Sequence, residues 1–190
     1  PPRSTLFPYT TLFRSGAKIS DKIELIKNFI EIADNIIIGG ALSLPFLKSK
    51  NYDIHSSLFD DESILNAENL LKYAKKNNKK LILPCDFVTA NSLDDDQSID
   101  IKLLNEINAE SKCFDIGPET TMIFSEILSS SDTILWNGPL GVCENPYSAT
   151  GTQQVCRIIE ELTANNVVSV LGGGDTASAA NRFSVSRNFT

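Results

Sequence analysis

Histidine, methionine and tryptophan each occur once in 190 residues. The single histidine, His55, has no serine and aspartate arranged around it, which argues against a triad hydrolase. The four cysteines, Cys85, Cys113, Cys143 and Cys156, never fall in a C-x-x-C pair, so a zinc ribbon or a dithiol redox motif is not indicated. They read instead as reduced, packed thiols of a cytoplasmic protein. No apolar run approaches the roughly 20 residues of a membrane span, and no basic segment followed by an apolar core marks a signal peptide. Positive charge is scarce: 17 Lys and Arg stand against 24 Asp and Glu, a net charge of −7. That balance argues against a nucleic-acid or membrane-surface partner. Any phosphate must therefore be held by a few local cations or by backbone N–H groups. The chain also lacks both G-x-x-x-x-G-K-[ST] and G-x-G-x-x-G, so neither a P-loop nor a dinucleotide fingerprint is present.

What remains is an ordinary globular composition, 42% hydrophobic and 22% charged, at a length suited to one sizeable domain. The first fifteen residues stand apart. Pro1–Ser15 reads PPRSTLFPYTTLFRS, which resembles one translated frame of a common short-read sequencing adapter. A real N-terminal extension is the alternative. Fold reasoning starts at Gly16, although Thr5–Phe13 is rich in β-formers and could lie down as an edge strand.

From Gly16 onward two kinds of apolar pattern alternate. Helical spacing predicts helices over Asp21–Ala33, Ala41–Ser49, Asp61–Lys76, Glu119–Leu128 and Ser148–Thr163, with a further one starting over Asp175–Ala180. Short apolar runs predict strands over Asn35–Ile38, Lys80–Leu83, Thr133–Trp136 and Val167–Leu171. Buried strands alternating with helices define an α/β fold, a three-layer Rossmann-like domain with a mainly parallel sheet. Each strand runs into a turn: Gly39-Gly40, Pro84-Cys85-Asp86, Asn137-Gly138-Pro139 and Gly172-Gly173-Gly174-Asp175. In an open parallel sheet these tips line the edge where ligands bind.

Three segments could carry chemistry. Gly172–Thr176 joins a strand to a helix; its glycines let the backbone approach a ligand, and the helix start offers N–H groups to a phosphate. Asp175 could face a metal carried by that phosphate, or could simply cap the helix. Lys18 and Lys22 flank another helix start, where lysine opposes the helix dipole unless an anion lies between the two. Solvated surface lysines are the plainer alternative. Trp136–Glu144 is a loop shaped by glycine and proline that could shelve a base, with Glu144 on a ribose hydroxyl, or could be purely structural. Asp86 and Asp115 lie near strand ends as site residues or turn formers. Asp94-Asp95-Asp96 reads as a solvated loop.

The order of these segments is more specific than any one of them. GAKISDK, IIGGALSLPFLK, SLFDDE, LPCDFVTA, FDIGPET, WNGPLGV-x-E, ATGT and GGGDTA together resemble the C-terminal, nucleotide-binding domain of the phosphoglycerate kinase family, from Gly16 to about Phe183. The resemblance implies reversible phosphoryl transfer between 1,3-bisphosphoglycerate and ADP, giving 3-phosphoglycerate and ATP, with magnesium accompanying the nucleotide. It implies a cytoplasmic, glycolytic protein, monomeric when intact, whose other domain binds phosphoglycerate. Lys18, Lys22 and Gly174 match residues at the transferring phosphoryl group. Gly16, Ala17 and Lys22 match the first nucleotide segment; Gly39 and Gly40, with Leu58, match the adenine pocket, and Phe114 matches an apolar pocket residue. Asn137, Pro139, Gly141 and Val142 match the loop around the nucleoside, with Glu144 on the ribose. Gly173, Gly174, Asp175 and Thr176 match the phosphate turn, Asp175 being the magnesium residue.

This sequence departs from the family at Cys113, at Cys143 and over Asn145-Pro146-Tyr147-Ser148. The phosphoglycerate-binding domain and a later glycine-rich loop are not in the sequence, and the adapter-like segment replaces the strand expected before Gly16. A fragment inactive by itself is therefore expected, with raw sheet edges, an incomplete core and marginal folding or aggregation. The alternatives are an inactive nucleotide-binding module and an α/β domain serving only structure or interaction.

Overall fold

The computed structural model describes residues 4–7, 20–54, 59–108 and 111–183. Two sheets organise them. The larger has five parallel strands, β1 (Ser4–Phe7), β2 (Asn35–Ile37), β3 (Lys80–Ile82), β7 (Thr133–Asn137) and β8 (Val168–Gly172), in the order β3-β2-β1-β7-β8. The smaller is antiparallel, with β4 (Asp86–Ala90) between β5 (Asp100–Leu103) and β6 (Lys112–Ile116).

Six helices accompany them among the described residues: α1 (Ser20–Ile32), α2 (Gly40–Ser49), α3 (Asp61–Lys76), α4 (Pro118–Ser129), α5 (Thr150–Ala164) and α6 (Gly174–Arg182). Each forms for a local reason. In α3, Asp60 accepts from the Ser63 N–H at 2.9 Å and the Ser63 hydroxyl at 2.6 Å, and Asp61 and Glu62 favour the positive end of the helix dipole. Its apolar Ala67, Leu70 and Ala74 recur at helical spacing and are buried.

The helices sort by sheet face, because successive strand residues point to opposite sides. Ile36, Ile38 and Leu81 pack with α1 and α3 through Ile26, Ile30, Ala67 and Leu70. Ile37, Ile82, Ile134 and Trp136 pack on the other side with Phe124 and Leu128 of α4 and Val155 and Ile159 of α5. This is the expected three-layer α/β arrangement. Helix α2 joins the sheets: Leu42 and Phe46 enter the first cluster, while Leu44 and Leu47 meet Phe87 of β4.

The structure corrects two expectations. The described part of the N-terminal segment, Ser4–Phe7, is not an edge strand. Residues 4–7 occupy the centre of the sheet, paired with both β2 and β7. Without them, two facing rows of backbone donors and acceptors would be left unpaired between those strands. The second correction is the antiparallel sheet. Pro84-Cys85-Asp86 does not simply end a strand; Asp86 opens β4. Among the described residues strand β8 has one neighbour, and Val168 and Val170 on its α1–α3 side are 54% and 39% exposed.

Candidate functional site

The tips of β2, β7 and β8 meet around the loop that follows β7. Trp136 is fully buried, and its indole N–H donates to the Gly138 carbonyl at 2.6 Å, folding the loop back on its own strand. The Gly138 N–H donates to the Thr176 hydroxyl at 2.6 Å, and that hydroxyl donates to the Gly172 carbonyl at 2.6 Å. One buried threonine thus ties the β7 loop to the glycine turn after β8. Asn137 pairs in register with Gly172 and lies against it. On the other side Leu140 packs directly on Gly39, so that a Cβ there would require the Leu140 side chain to move.

The glycine turn has the geometry that a phosphate cradle requires. Gly173 has φ 86° and ψ 149°, a conformation essentially reserved for glycine. Gly174 begins α6 with nothing within 4 Å of where its Cβ would stand, so the backbone is open to an incoming group. Asp175 is exposed in the first turn of α6. A single exposed carboxylate beside a phosphate turn suits magnesium, which keeps several waters and shares phosphate oxygens. Among the described residues no group of three or more Asp, Glu, His or Cys forms an all-protein metal cage. The donor set therefore fits an ion delivered with a nucleotide.

Residues expected near a base also converge. The Val142 N–H donates to the Phe114 carbonyl at 2.8 Å, and the two side chains pack together with Ala90. Beneath them lies Asp115, 1% exposed. It accepts from the Thr152 N–H, the Thr152 hydroxyl and the Ile116 N–H, each at 2.9 Å. Burial pushes its carboxyl up to about 7, against those donors and the Gly151 backbone, which pull it down. Gly141 rests on this carboxylate so closely that a Cβ would overlap it. Asp86 is its counterpart under α4, accepting from the Glu119 N–H at 3.0 Å, the Thr120 N–H at 2.8 Å and the Thr120 hydroxyl at 2.6 Å. The two aspartates, open between site and turn roles in the sequence, are remote helix caps.

Lys22 occupies the first turn of α1. Only residues 33 and 34 separate α1 from β2, so the thirteen-residue helix runs back, about 18 Å, towards the edge of the strand tips. Gly16, Ala17, Lys18, Leu58 and His55 lie outside the described residues. Glu144 is exposed, and its carbonyl accepts from Arg182 at 3.0 Å. Asp96 is exposed as expected, yet it also accepts from Asn145 at 2.9 Å. Sequence reasoning missed Thr120, Thr152 and Arg182. The cysteines are unpaired thiols, and burial pushes Cys113 and Cys143 up to about 12, which makes them packing groups.

Parallel strands with glycine-bordered tips, sandwiched between helices, make this a Rossmann-like α/β domain of the kind that carries phosphate-bearing ligands at its strand ends. The comparisons with known proteins narrow that class. Residues 8–190 match the family described as phosphoglycerate kinase, and the chain belongs to that family. Phosphoglycerate kinases of Staphylococcus aureus strains JH9 and Newman are each 39% identical over 175 residues, 92% of this chain and 43% of theirs. The phosphoglycerate kinase structure from Coxiella burnetii superposes with a TM-score of 0.89 at 28% identity, over 99% of this chain and 46% of that one. The Pyrococcus horikoshii enzyme shares the fold, with a TM-score of 0.66 at 23% identity over 96% of this chain and 44% of that one. The chain thus spans less than half the length of these relatives.

Proposed function

We propose that this chain is the magnesium-nucleotide half of a phosphoglycerate kinase. In this reading residues 16–190 form the nucleotide domain, and Ser4–Phe7 fills the slot of the strand expected before Gly16. The intact protein, a cytoplasmic monomer of glycolysis, transfers a phosphoryl group between 1,3-bisphosphoglycerate and ADP. Its other domain holds the phosphoglycerate. The observation that carries the reading is the Thr176 bridge, which fixes the nucleoside loop against the phosphate turn.

Phosphoryl transfer needs little covalent help. It needs in-line positioning and donors around the equatorial oxygens. Gly173 and Gly174 would present backbone N–H groups at the positive end of α6. Lys18 and Lys22 would place two cations on the transferring group and the nucleotide phosphates. Asp175 would hold magnesium, which neutralises charge across the phosphates. Gly39, Gly40, Leu58, Phe114 and Val142 would wall the base, Asn137, Pro139 and Gly141 would shape the nucleoside loop, and Glu144 would accept from the ribose. Gly16 and Ala17 would add backbone donors.

Calorimetric titration of the folded chain with magnesium ADP should give saturable heat, with affinity falling about tenfold or more in Lys22→Met and in Asp175→Asn. A chain that melts cooperatively yet shows no heat with millimolar magnesium ADP or ATP would refute the reading. Unchanged affinity in both variants would instead favour a domain that serves structure alone.

A further inference from the structure

We propose that Asn145 and Arg182 are positioning residues that clamp Glu144 from two sides, and that this clamp sets the preference of the site for a hydroxylated ribose. The inference rests on the reading of Glu144 as the ribose carboxylate. Glu144 sits in the long connection between β7 and α5, where an exposed side chain on an irregular backbone would otherwise have many conformations to lose on binding. Two contacts hold the backbone that carries it.

The first comes from α6. Arg182 is the last residue of that helix, and its Nη2 donates to the main-chain carbonyl of Glu144 at 3.0 Å. The opposite end of the same nine-residue helix is the Gly174–Thr176 turn. A helix of this length is a strut of about 12 Å, so the Glu144 backbone is held at a fixed distance from the phosphate turn.

The second contact comes from the β4–β5 connection. The Asn145 amide donates to the Leu93 carbonyl at 2.8 Å and to Asp96 Oδ1 at 2.9 Å, and its oxygen accepts from the Tyr147 N–H at 2.9 Å. Rotating the amide by half a turn would set oxygen against two oxygens and NH2 against N–H, so one orientation is selected. The connection that receives it is itself closed. Ser98 accepts from the Asn91 N–H at 2.9 Å and donates to the Asp95 carbonyl at 2.9 Å. Its Leu93 and Ile99 pack under Phe114 and Val142. The anchor is therefore continuous with the wall of the base pocket.

The test compares ADP with 2′,3′-dideoxy-ADP, both with magnesium, by calorimetry on the full chain. The dideoxy compound keeps base and phosphates, so its affinity reports folding and the rest of the site. The ratio of the two affinities reports Glu144. Glu144→Ala should bring the ratio close to one. Asn145→Ala and Arg182→Ala should each lower it about threefold to tenfold while changing dideoxy-ADP affinity less than about twofold. Arg182→Lys, which can still donate to the carbonyl, should keep part of the ratio. Asn145→Asp should lose more than the alanine variant through repulsion from Asp96, and adding Asp96→Asn should return part of it. If Glu144→Ala lowers the ratio and neither Asn145→Ala nor Arg182→Ala does, the clamp is wrong and the ribose reading stands. If Glu144→Ala leaves the ratio unchanged, the ribose reading itself fails and the clamp with it.

Discussion

Replacing Asp86 with alanine is expected to lower the unfolding free energy by about 3 kcal/mol, and replacing Asp115 with alanine by a similar amount. Neither α4 nor α5 has a capping side chain of its own, since Gly117 and Ala149 occupy their N-cap positions. The orphan N–H groups of each helix are met by an aspartate from the antiparallel sheet, 33 to 37 residues away. Each helix returns a threonine hydroxyl to that carboxylate. Removing the aspartate leaves buried donors without an acceptor, and Thr120 and Thr152 are themselves fully buried, so water cannot readily replace it. Urea unfolding of the variants at pH 7 checks the expectation, and losses below about 1 kcal/mol in both would refute it. Asp115 adds a pH signature. Its folded carboxyl holds a proton up to about 7, whereas the unfolded one releases it near 3.8. Between those values the folded state binds the extra proton, so this group makes stability fall as pH rises, by on the order of 2–4 kcal/mol across the window. The protonated form remains accommodated, because the Thr152 hydroxyl can turn from donor to acceptor. Asp115→Asn should flatten that slope, and an unchanged slope would assign it elsewhere.

These caps also show where sequence reasoning stops. The bounds of helix α3, Asp61–Lys76, were legible to the residue, because its acidic first turn and its apolar stripe both lie within that segment. The large sheet was legible through short apolar runs ending in glycine or proline. The antiparallel sheet was not. Strand β4 is buried along its whole length and shows no alternation, while β5 exposes Ile101 and Leu103 and so reads as a loop. Such strands are defined by their partners, which local patterns do not contain. The aspartate caps were hidden for the same reason, although one local signal existed. GPET and ATGT both place threonine in the first turn of a helix that lacks a capping residue, and a helix start without an acceptor implies one from elsewhere. Around the candidate site the turns at the strand tips were legible and their connections were not. Thr176 was assigned to the phosphate turn, but its bond to the Gly138 N–H joins residues 38 positions apart. Arg182 carried no signal at all, because its partner is a backbone carbonyl.

Gly174→Ala is expected to leave the folding free energy almost unchanged and to weaken magnesium-nucleotide binding at least tenfold, whereas Gly173→Ala should damage both. The difference follows from two adjacent glycines with different constraints. At Gly173, φ 86° and ψ 149° lie where an L side chain is strained, so alanine there costs about 1–3 kcal/mol or forces the turn to change shape. A changed turn would also misdirect the first N–H groups of α6. At Gly174, the first residue of α6, no other described part of the chain beyond its own neighbours and helix backbone lies within 4 Å of the added methyl. Any loss of affinity in Gly174→Ala must then come from the space in front of the backbone, the space a phosphate would fill. Thermal melts give the stability arm, and calorimetry with magnesium ADP gives the binding arm. The alternative of a purely structural turn makes the opposite forecast: Gly173→Ala would lower the melting temperature, and neither variant would change affinity beyond what its unfolded fraction explains. Unchanged nucleotide affinity in a fully folded Gly174→Ala would exclude close approach of a phosphate at this turn. The site would then have to rely on the side chains of Lys18, Lys22 and Asp175 alone.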